Sequence, residues 1–591
     1  MSVLTKRFAK VFKLALLVTV CCIIFVLTSR YVDEGMSKEY KSYLASYVDT
    51  YVGDTDSIPE NSELSKAMSA KDEVRREKLQ TFYKQVFDNV QEFGPKNKCL
   101  REYGANCKLD GNIGTRPDDY DNWGKLTSSE LGKCLSLSYS ERAMLKKMHY
   151  QFVESIGSLT LPAESYSGDG IVTVGGGKFS LLSFLIIKTL RNLGTTLPVE
   201  VFIPPNDTGD QEFCNTLLPK YNAKCIYITD VLPPDSVDNF EFKGYQFKSI
   251  AIIASSFENL LLLDADNFPI KDLDNIFDKE PYKSTGLVLW PDFWRRTTNP
   301  AYYEIADIPV NYKNRVRNCM DDITPPQAYT SNMEDTSDVP LHDLENTIPD
   351  VSTESGQIMI SKSKHLPTVL LSLYYNVYGP SWYYPIFSQK AAGEGDKETF
   401  IAAANFYELD FYQVKSITAV DGYHRSEGFR GVAMLQHDFV QDYQRYQHAS
   451  EEINAVYEGK SPQSIKLDPS YSPEKFYETY FESETLKEVD IMFVHSNLPK
   501  FDPVTLWKDQ DLIVAGQHIR SYTNLKRLNG YDLELENFKV FKEYLCDTRT
   551  HFKYVDNALQ ENETNWESMC QYITERLLFL DKSHANAIKS S

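Results

Sequence analysis

The sequence has no cluster of basic residues beyond its first segment. In 591 residues, 62 Lys and Arg stand against 83 Asp and Glu, which gives a formal net charge of -21. A nucleic-acid partner requires clustered cations that neutralise phosphates, so this composition argues against one. An anionic ligand would need local help, for example from a bound metal ion.

Three common chemical signatures are also missing. No CxxC pair indicates a zinc site. The segment GGGK at 175–178 is not a P-loop, because Phe179 occupies the Ser/Thr position, and it is not the dinucleotide fingerprint, because Ser180 replaces the last glycine. No Ser-His-Asp or Cys-His arrangement for a nucleophile is evident. Neither a P-loop nucleotidase, a dinucleotide enzyme nor a triad hydrolase is therefore predicted.

A short apolar run follows a basic N-terminus. Four basic residues lie between positions 6 and 13, and the run LALLVTVCCIIFVLT ends at 28. We predict a cytoplasmic tail over 1–10, a transmembrane signal-anchor over 11–28 and a polar stem over 29–69. A cleaved signal peptide is the alternative, but no small-x-small cleavage site follows. The remaining chain is expected in the lumen, and the short span favours a Golgi-type membrane.

The number of cysteines agrees with a location in the lumen. Eight cysteines lie outside the apolar run, an even number that suits disulfides. Sequence proximity suggests three local pairs, and two sequons provide glycosylation candidates at Asn206 and Asn562. The predicted pairs are Cys99–Cys107, Cys214–Cys225 and Cys546–Cys570.

The pattern from residue 170 onwards indicates an α/β fold. Strands are predicted at 170–174, 199–203, 224–228 and 260–263, and they alternate with helices at 180–193 and 211–221 and a helix that carries Lys248. This alternation predicts a doubly wound, mostly parallel sheet, whose ligands bind at the carboxyl ends of strands. Helices at 70–93 and 139–155 form a predicted cap over 70–165. The catalytic domain then covers 166–591, with an insertion at about 438–488.

Two carboxylates converge where the strand 260–263 ends. Asp264 and Asp266 are two residues apart, so in an extended chain they point the same way. Such a pair suits a hard divalent cation, which can in turn hold a diphosphate. His495 follows another strand and is a candidate third ligand, while Lys500 and Lys248 are candidate diphosphate contacts.

Further polar residues fall near strand ends. Glu354 and Gln357 precede the strand 358–361 and could bind sugar hydroxyls, although a plain turn is an alternative. Asp396 could be an N-cap of the following helix, or Asp396 or Glu398 could contact a donor or acceptor hydroxyl.

Two segments are more ambiguous. Gly175, Gly176 and Lys178 either form a turn that needs unusual dihedrals or let the backbone approach a nucleotide. Arg295 and Arg296 could contact phosphate or acceptor, although adjacent arginines on a surface loop are more often solvated.

Together these segments resemble the fungal Golgi α-mannosyltransferases that build cell-wall mannan. The matching stretches run from about 170 to 503 and include GIVTVGGGKFSLLSFL, LLLLDADNFPI, WPDFWRRT, ESGQ, GDKETF and VHSNLPK. They are most similar to the α-1,2 branch-initiating group. The resemblance implies a type II membrane enzyme with a GT-A fold, a GDP-mannose donor, a mannan acceptor, Mn²⁺ dependence and retention of configuration.

A more distant resemblance, to glycogenin-type retaining transferases, implies roles for individual residues. Asp264, Asp266 and His495 would hold the metal, and Lys248 and Lys500 would contact donor phosphates, although HSNLPK lacks the glycine usual after that histidine. Apart from this resemblance, a retaining transfer by same-face attack needs no dedicated protein base, so Gln357, Asp396 and Glu398 are expected to orient the donor mannose and the acceptor hydroxyl. Transfer of an α-1,3-linked mannose or of mannose 1-phosphate, and a non-catalytic mannan-binding subunit, are the alternatives.

Overall fold

The fold is that of a computed structural model, which describes residues 70–109, 114–207, 209–426, 428–482, 487–496, 498–560 and 563–589. The predicted tail, signal-anchor and stem over 1–69 lie outside these ranges. Within the ranges, none of the helices combines the length and the apolar character needed to cross a membrane.

The strands are numbered in chain order over the described residues. They are β1 (Asp169–Val174), β2 (Val199–Ile203), β3 (Ala223–Tyr227), β4 (Asn259–Leu263), β5 (Asn267–Pro269), β6 (Leu287–Pro291), β7 (Asn311–Arg315), β8 (Leu344–Glu345), β9 (Thr353–Ser361), β10 (Tyr412–Gln413), β11 (Ala419–Arg425), β12 (Gly428–His437), β13 (Ile491–Ser496), β14 (Ile513–Val514) and β15 (Gln517–His518).

The α-helices are numbered in the same way. They are α1 (Ala70–Glu92), α2 (Ser128–Leu131), α3 (Tyr139–Gly157), α4 (Lys178–Asn192), α5 (Pro234–Asp238), α6 (Gln246–Ala254), α7 (Tyr282–Thr285), α8 (Ala301–Ile305), α9 (Lys362–Val377), α10 (Tyr384–Ser388), α11 (Thr399–Phe406), α12 (Phe439–Tyr457), α13 (Pro473–Tyr480), α14 (Pro503–Asp509), α15 (Leu533–Val540), α16 (Lys553–Leu559) and α17 (Glu563–Lys589).

A seven-stranded mixed sheet forms the core, in the order β10-β6-β9-β4-β1-β2-β3. The pairs β4-β1, β1-β2 and β2-β3 are parallel, whereas β9 runs antiparallel to both β4 and β6. Strands covered on both faces read as continuous apolar runs, as β4 does with Leu260 to Leu263 all fully buried. The prediction of an α/β fold is confirmed. The expectation of a mostly parallel sheet is also confirmed, and the sheet is mixed because β9 runs antiparallel between β4 and β6.

A second sheet contains the strand that carries His495 and places it beside the core sheet. Its order is β11-β12-β13-β5, and all its pairs are antiparallel. Strand β5 begins directly after Asp266, so this sheet starts where the strand β4 and its aspartates end. The predicted insertion lies between β12 and β13 and contains α12 and α13. Its side chains pack with Cys319, Met320 and Val351 in a separate apolar cluster.

The helices predicted as a cap pack on α9. Apolar residues of α1, among them Leu79, Val86 and Val90, are buried. The hydroxyl of Tyr378, just after α9, donates to the carbonyl of Val90 at 2.6 Å. Helix α3 begins at a capping box formed by Ser138 and Glu141. The segment 211–221 was predicted to be one helix. In the structure, its last nine residues form short π and 3-10 turns instead.

The disulfide predictions are right for two of three pairs. Cys214–Cys225 and Cys546–Cys570 are bonded, but Cys107 pairs with Cys134 and not with Cys99. The reason is tertiary: the amide of Gly104 donates to the carbonyl of Cys134 at 2.9 Å, which brings the 104–107 segment beside Cys134. Cys99 is a buried thiol.

We expect Cys134→Ser to lower the free energy of unfolding by about 3 kcal/mol, because the bond closes a loop of 27 residues. Cys99→Ser should cost about 1 kcal/mol or less. Denaturant unfolding measures both. An equal loss in the two variants would contradict the observed pairing.

Candidate functional site

Asp264 and Asp266 lie at the carboxyl end of β4. The amide of Asp264 donates to the carbonyl of Gly356 on β9 at 2.8 Å, which fixes the turn after the strand. Asp266 is nearly buried, while the side chain of Asp264 keeps 23% of its exposure. The pair is therefore held at the rim of the sheet, with one member open to solvent.

His495 reaches the aspartates through strand pairing. On β13 it lies opposite Asn267 of β5, the residue that directly follows Asp266. The result is that one ligand atom from each of Asp264, Asp266 and His495 lies within 4.8 Å of the others. Two carboxylate oxygens and one imidazole nitrogen form a donor set that suits Mn²⁺ and related divalent cations.

The carboxylates retain free coordinating capacity. Lys248 contacts Oδ2 of Asp264, and Lys500 contacts Oδ2 of Asp266, so neither of these ion pairs uses Oδ1 of the aspartates. Oδ1 of Asp266 lies 3.4 Å from Nε2 of His495. The three residues therefore fit a divalent cation on donor type and on mutual distance.

Lys248 is buried beneath this cluster. Its Nζ lies 2.9 Å from Oδ2 of Asp264 and 3.3 Å from Oδ2 of Asp396. It also donates to the carbonyl and the hydroxyl of Ser355, at 3.1 and 3.0 Å. Burial opposes its charge, but the carboxylates of Asp264 and Asp396 outweigh burial and raise the pKa of Lys248. Lys248 therefore stays an ammonium ion and holds β4 and β9 to α6.

Two further lysines lie near Asp266. Nζ of Lys500 is 2.5 Å from Oδ2 of Asp266. Burial alone would raise the pKa of Asp266, but Lys500 and His495 lower it well below the usual range. Burial lowers the pKa of Lys178, the first residue of α4, and Asp502 and Asp266 only partly oppose this, so Lys178 shares the electrostatic environment of the site. The site thus contains three lysines among its carboxylates.

Glu354 and Gly356 shape the position of His495. Oε1 of Glu354 lies 3.6 Å from Nδ1 of His495 and accepts a hydrogen bond from the amide of Gly356 at 2.8 Å. Burial would lower the pKa of His495, but Asp266 and Glu354 raise it to about 9. A bound divalent cation would take the place of that proton. Glu354 therefore sits behind the imidazole, where a carboxylate orients a ligating histidine.

Gly356 is required because the imidazole of His495 occupies the space of a side chain. A Cβ at this position would lie 2.7 Å from Nδ1 of His495. We expect Gly356→Ala to lower the free energy of unfolding by about 1–3 kcal/mol and to weaken Mn²⁺ binding at least tenfold, because the ligand is displaced.

Gly157→Ala is the matched control, since a Cβ there meets no atom within 4 Å. It should leave metal binding unchanged and keep or raise stability. Calorimetric titration with Mn²⁺ and thermal unfolding provide the measurements. Normal Mn²⁺ affinity in Gly356→Ala would contradict the placement of His495 in the metal shell.

Gln357 is fully buried on β9, next to the site. Its Oε1 accepts a hydrogen bond from Nδ2 of Asn267. Among the described residues, neither Nε2 of Gln357 nor Oδ1 of Asn267 has a hydrogen-bond partner. A buried amide with unused capacity can bind a ligand hydroxyl. Asn267 was not predicted from the sequence, although its position directly after Asp266 was an available signal.

Asp396 does not cap a helix. It begins a 3-10 turn, and neither that turn nor α11 has a side-chain cap. The N-cap interpretation is therefore wrong: the buried carboxylate faces Lys248, and tertiary pairing overrides the local capping preference. Burial raises the pKa of Asp396, and Lys248 lowers it.

Glu398 is placed away from this cluster, in a buried ion pair with Arg296. Its Oε1 accepts from the hydroxyl of Ser352 at 2.6 Å. Arg295 pairs with Asp350 at 2.6 Å and with Asp343 at 3.1 Å. Both arginines are fully buried, so the interpretation of a solvated pair is wrong. Burial of two guanidinium groups is possible because carboxylates from residues 343, 350 and 398 surround them.

The GGGK segment is a constrained turn between β1 and α4. Gly176 has a φ of +87°, and Oδ2 of Asp207 accepts from the amide of Gly177 at 2.8 Å. A Cβ on Gly175 would lie 2.5 Å from Val201. The turn therefore requires glycine for its own geometry, and it places Lys178 at the start of α4. Asn206 lies beside this turn and is exposed; Asn562 is outside the described residues.

Comparisons with known proteins give a consistent identification. Residues 168–438 match the family model described as "Mannosyltransferase putative". The chain is 59% identical over 592 residues to α-1,2-mannosyltransferase MNN2 of Saccharomyces cerevisiae, covering 99% of both chains. It is 39% identical to MNN5 of that yeast, covering 82% of this chain and 85% of the relative. For α-1,2-mannosyltransferase MNN2 of Candida albicans, the identity is 35% and the coverages are 85% and 80%.

Solved glycosyltransferase structures are more distant. The galactosyltransferase LgtC, in complex with donor and acceptor sugar analogs, is 13% identical and has a TM-score of 0.21, with coverage of 38% of this chain and 68% of LgtC.

Proposed function

Since the chain belongs to the family of fungal α-1,2-mannosyltransferases, we propose that it moves mannose from GDP-mannose to mannan with α-1,2 linkage. We further propose that Mn²⁺ is its cation, that the catalytic part has a GT-A fold, and that transfer retains the anomeric configuration. The observation that carries the proposal is the grouping of Asp264, Asp266 and His495 with two ammonium groups, of Lys248 and Lys500. This grouping suits a diphosphate leaving group.

The chain's own residues stabilise that leaving group. As the sugar–phosphate bond breaks, negative charge grows on the diphosphate, and Lys248 and Lys500 provide positive charge beside the aspartates. Lys178 lies in the same environment. A divalent cation bound by Asp264, Asp266 and His495 would supply Lewis-acid stabilisation of the same charge.

Other residues position the reactants. Asp396 is a buried carboxylate in contact with Lys248, and Gln357 is a buried amide in contact with Asn267. We propose that both bind hydroxyl groups of the donor mannose and the acceptor. Glu354 acts through His495. Glu398 is fully engaged by Arg296 and Ser352, so we assign it to holding the start of β9.

We propose a Golgi membrane location with the catalytic part in the lumen. Two observations support this location. Basic residues precede the apolar run at 11–28, and three disulfides are formed, Cys107–Cys134, Cys214–Cys225 and Cys546–Cys570. Asn206 and Asn562 would then be glycosylation sites. Mapping with a protease added outside sealed vesicles should leave residues beyond 28 protected.

The test is incubation of the full chain with GDP-mannose, Mn²⁺ and an α-1,6-linked mannan acceptor. We expect a product with new α-1,2-mannosyl linkages and no phosphorus, and loss of the product when a chelator removes the metal. Phosphorus in the product would indicate transfer of mannose 1-phosphate instead, and α-1,3 linkages would contradict the assigned linkage.

A further inference from the structure

A cavity of about 640 Å³ lies apart from the residues of the metal site. It lies between the loop that follows Tyr329 and the start of α13, and none of its lining residues is a ligand or lysine of the candidate site. Its volume falls within the range of about 300–1,000 Å³ that small-molecule sites occupy. The proposed function leaves this cavity without a role.

Aromatic rings form part of the wall and are held in place. Tyr120 and Trp123 are in contact, with centroids 5.1 Å apart, and the guanidinium of Arg295 packs 4.1 Å from the Trp123 ring. Tyr329 stacks on Tyr471 with centroids 4.8 Å apart. Rings fixed in this way are presented without further loss of conformational freedom when a ligand binds. The C–H face of a pyranose packs well on such surfaces.

The same wall carries polar atoms that the protein does not use. Nε1 of Trp123, the hydroxyl of Tyr329 and the hydroxyl of Thr330 are buried, and none has a hydrogen-bond partner in the part of the chain that the structure describes. Buried polar groups are normally satisfied, so three such atoms around one cavity indicate a ligand rich in hydroxyl groups.

The charges of the wall disfavour an anionic ligand. Asp335, Asp338 and Glu474 line the cavity, and their carboxylates accept hydrogen bonds from hydroxyls but repel phosphate. Arg315 also lines it, but its guanidinium is engaged by Asp343 at 3.0 Å. A nucleotide sugar is therefore disfavoured here, whereas a neutral oligosaccharide is favoured.

We propose that this cavity binds a stretch of neutral mannooligosaccharide, a part of the acceptor distant from the residue that receives the new sugar. The identity of the glycan rests on the proposed function. Pyranose faces contact Tyr120 and Trp123, and sugar hydroxyls bond to Trp123, Tyr329 and Thr330. Binding a second stretch of the acceptor lowers the KM for long acceptors and leaves that for short ones unchanged.

The test uses the double variant Tyr329→Phe/Thr330→Val of the full chain, which removes two hydroxyls and keeps the shapes. Tyr139→Phe, at an exposed ring, is the control. Calorimetric titration with α-1,6-linked mannohexaose, without donor, should show about a tenfold weaker affinity in the double variant and no change in the control. Because the hydroxyls have no described partner, the Tm should stay equal or rise.

A second readout separates the two proposals. In transfer assays the double variant should raise the KM for mannohexaose about tenfold, with the KM for methyl α-mannoside and for GDP-mannose unchanged. Unchanged hexaose affinity, or a lower Tm, overturns the cavity proposal. Binding of a divalent cation alone, abolished by the double variant, also overturns it. Normal hexaose binding without any mannose transfer contradicts the proposed function and leaves the cavity assignment standing.

Discussion

Asp266→Asn should reduce mannose transfer about 10³-fold or more, with the side-chain volume almost unchanged. Asp266 supplies one of three candidate metal ligands and is also the partner of Lys500 and His495. An amide cannot offer the negative charge that holds a hard cation, and the leaving diphosphate then loses its main source of stabilisation. The initial rate at saturating GDP-mannose and Mn²⁺ measures the effect.

The control must separate catalysis from stability. Asp266 is buried, so its neutralisation removes the carboxylate that Lys500 and His495 contact and should cost about 3 kcal/mol of unfolding free energy. Asp442→Asn is matched, because Asp442 is equally buried and accepts hydrogen bonds from Tyr412 and Ser416 on another part of the chain. It should lose stability and keep its activity per folded molecule. Equal activity of Asp266→Asn and Asp442→Asn would refute the metal assignment.

Lys248→Met should lower kcat by about 10²–10³-fold. Its ammonium contacts Asp264 and Asp396, and in the proposed function charge develops beside it on the donor diphosphate, so its removal takes away stabilisation that grows in the transition state. Lys248→Arg should not restore the rate, because a larger, planar guanidinium does not fit the buried position in which the compact ammonium contacts oxygens of Asp264, Asp396 and Ser355. Steady-state kinetics in varied donor would show the loss chiefly in kcat.

Lys362→Met is the control for loss of a buried lysine side chain. Lys362 is almost fully buried, donates to the carbonyl of Ser255 at 2.6 Å and packs 3.5 Å from the Tyr166 ring, away from the aspartates. Its replacement should leave kcat within about twofold. If Lys248→Met retained the kcat of Lys362→Met, the role of Lys248 in leaving-group stabilisation would be excluded.

The core strands could be predicted because their sequence signal is local. The strand at 199–203 has the predicted bounds, and β4 differs by one residue, since buried strands read as uninterrupted apolar runs. The aspartates follow β4 directly, so their shared position at the strand end was also predictable. Lys248 lies on the helix that precedes β4, so the α/β alternation alone was enough to predict its position near the aspartates.

The remaining contacts depend on pairings that sequence spacing does not encode. His495 approaches Asp266 because β13 aligns with β5 in one register, which sets His495 opposite Asn267. The position of the Asp396 side chain is set by its ion pair with Lys248 and not by a preference for capping the following helix. Arg295 and Arg296 are buried because carboxylates about 50 to 100 residues away in sequence return to them. Single-sequence periodicity contains none of this information.

In the proposed function, Asp264, Asp266 and His495 hold the cation that binds the donor diphosphate. The most direct test is a crystal structure of the protein with Mn²⁺ and GDP, with anomalous differences measured at the manganese edge. We expect one strong peak in contact with all three side chains and with the diphosphate, and Lys248 beside it. A bound diphosphate with the manganese peak at other residues would exclude these three side chains as the metal ligands.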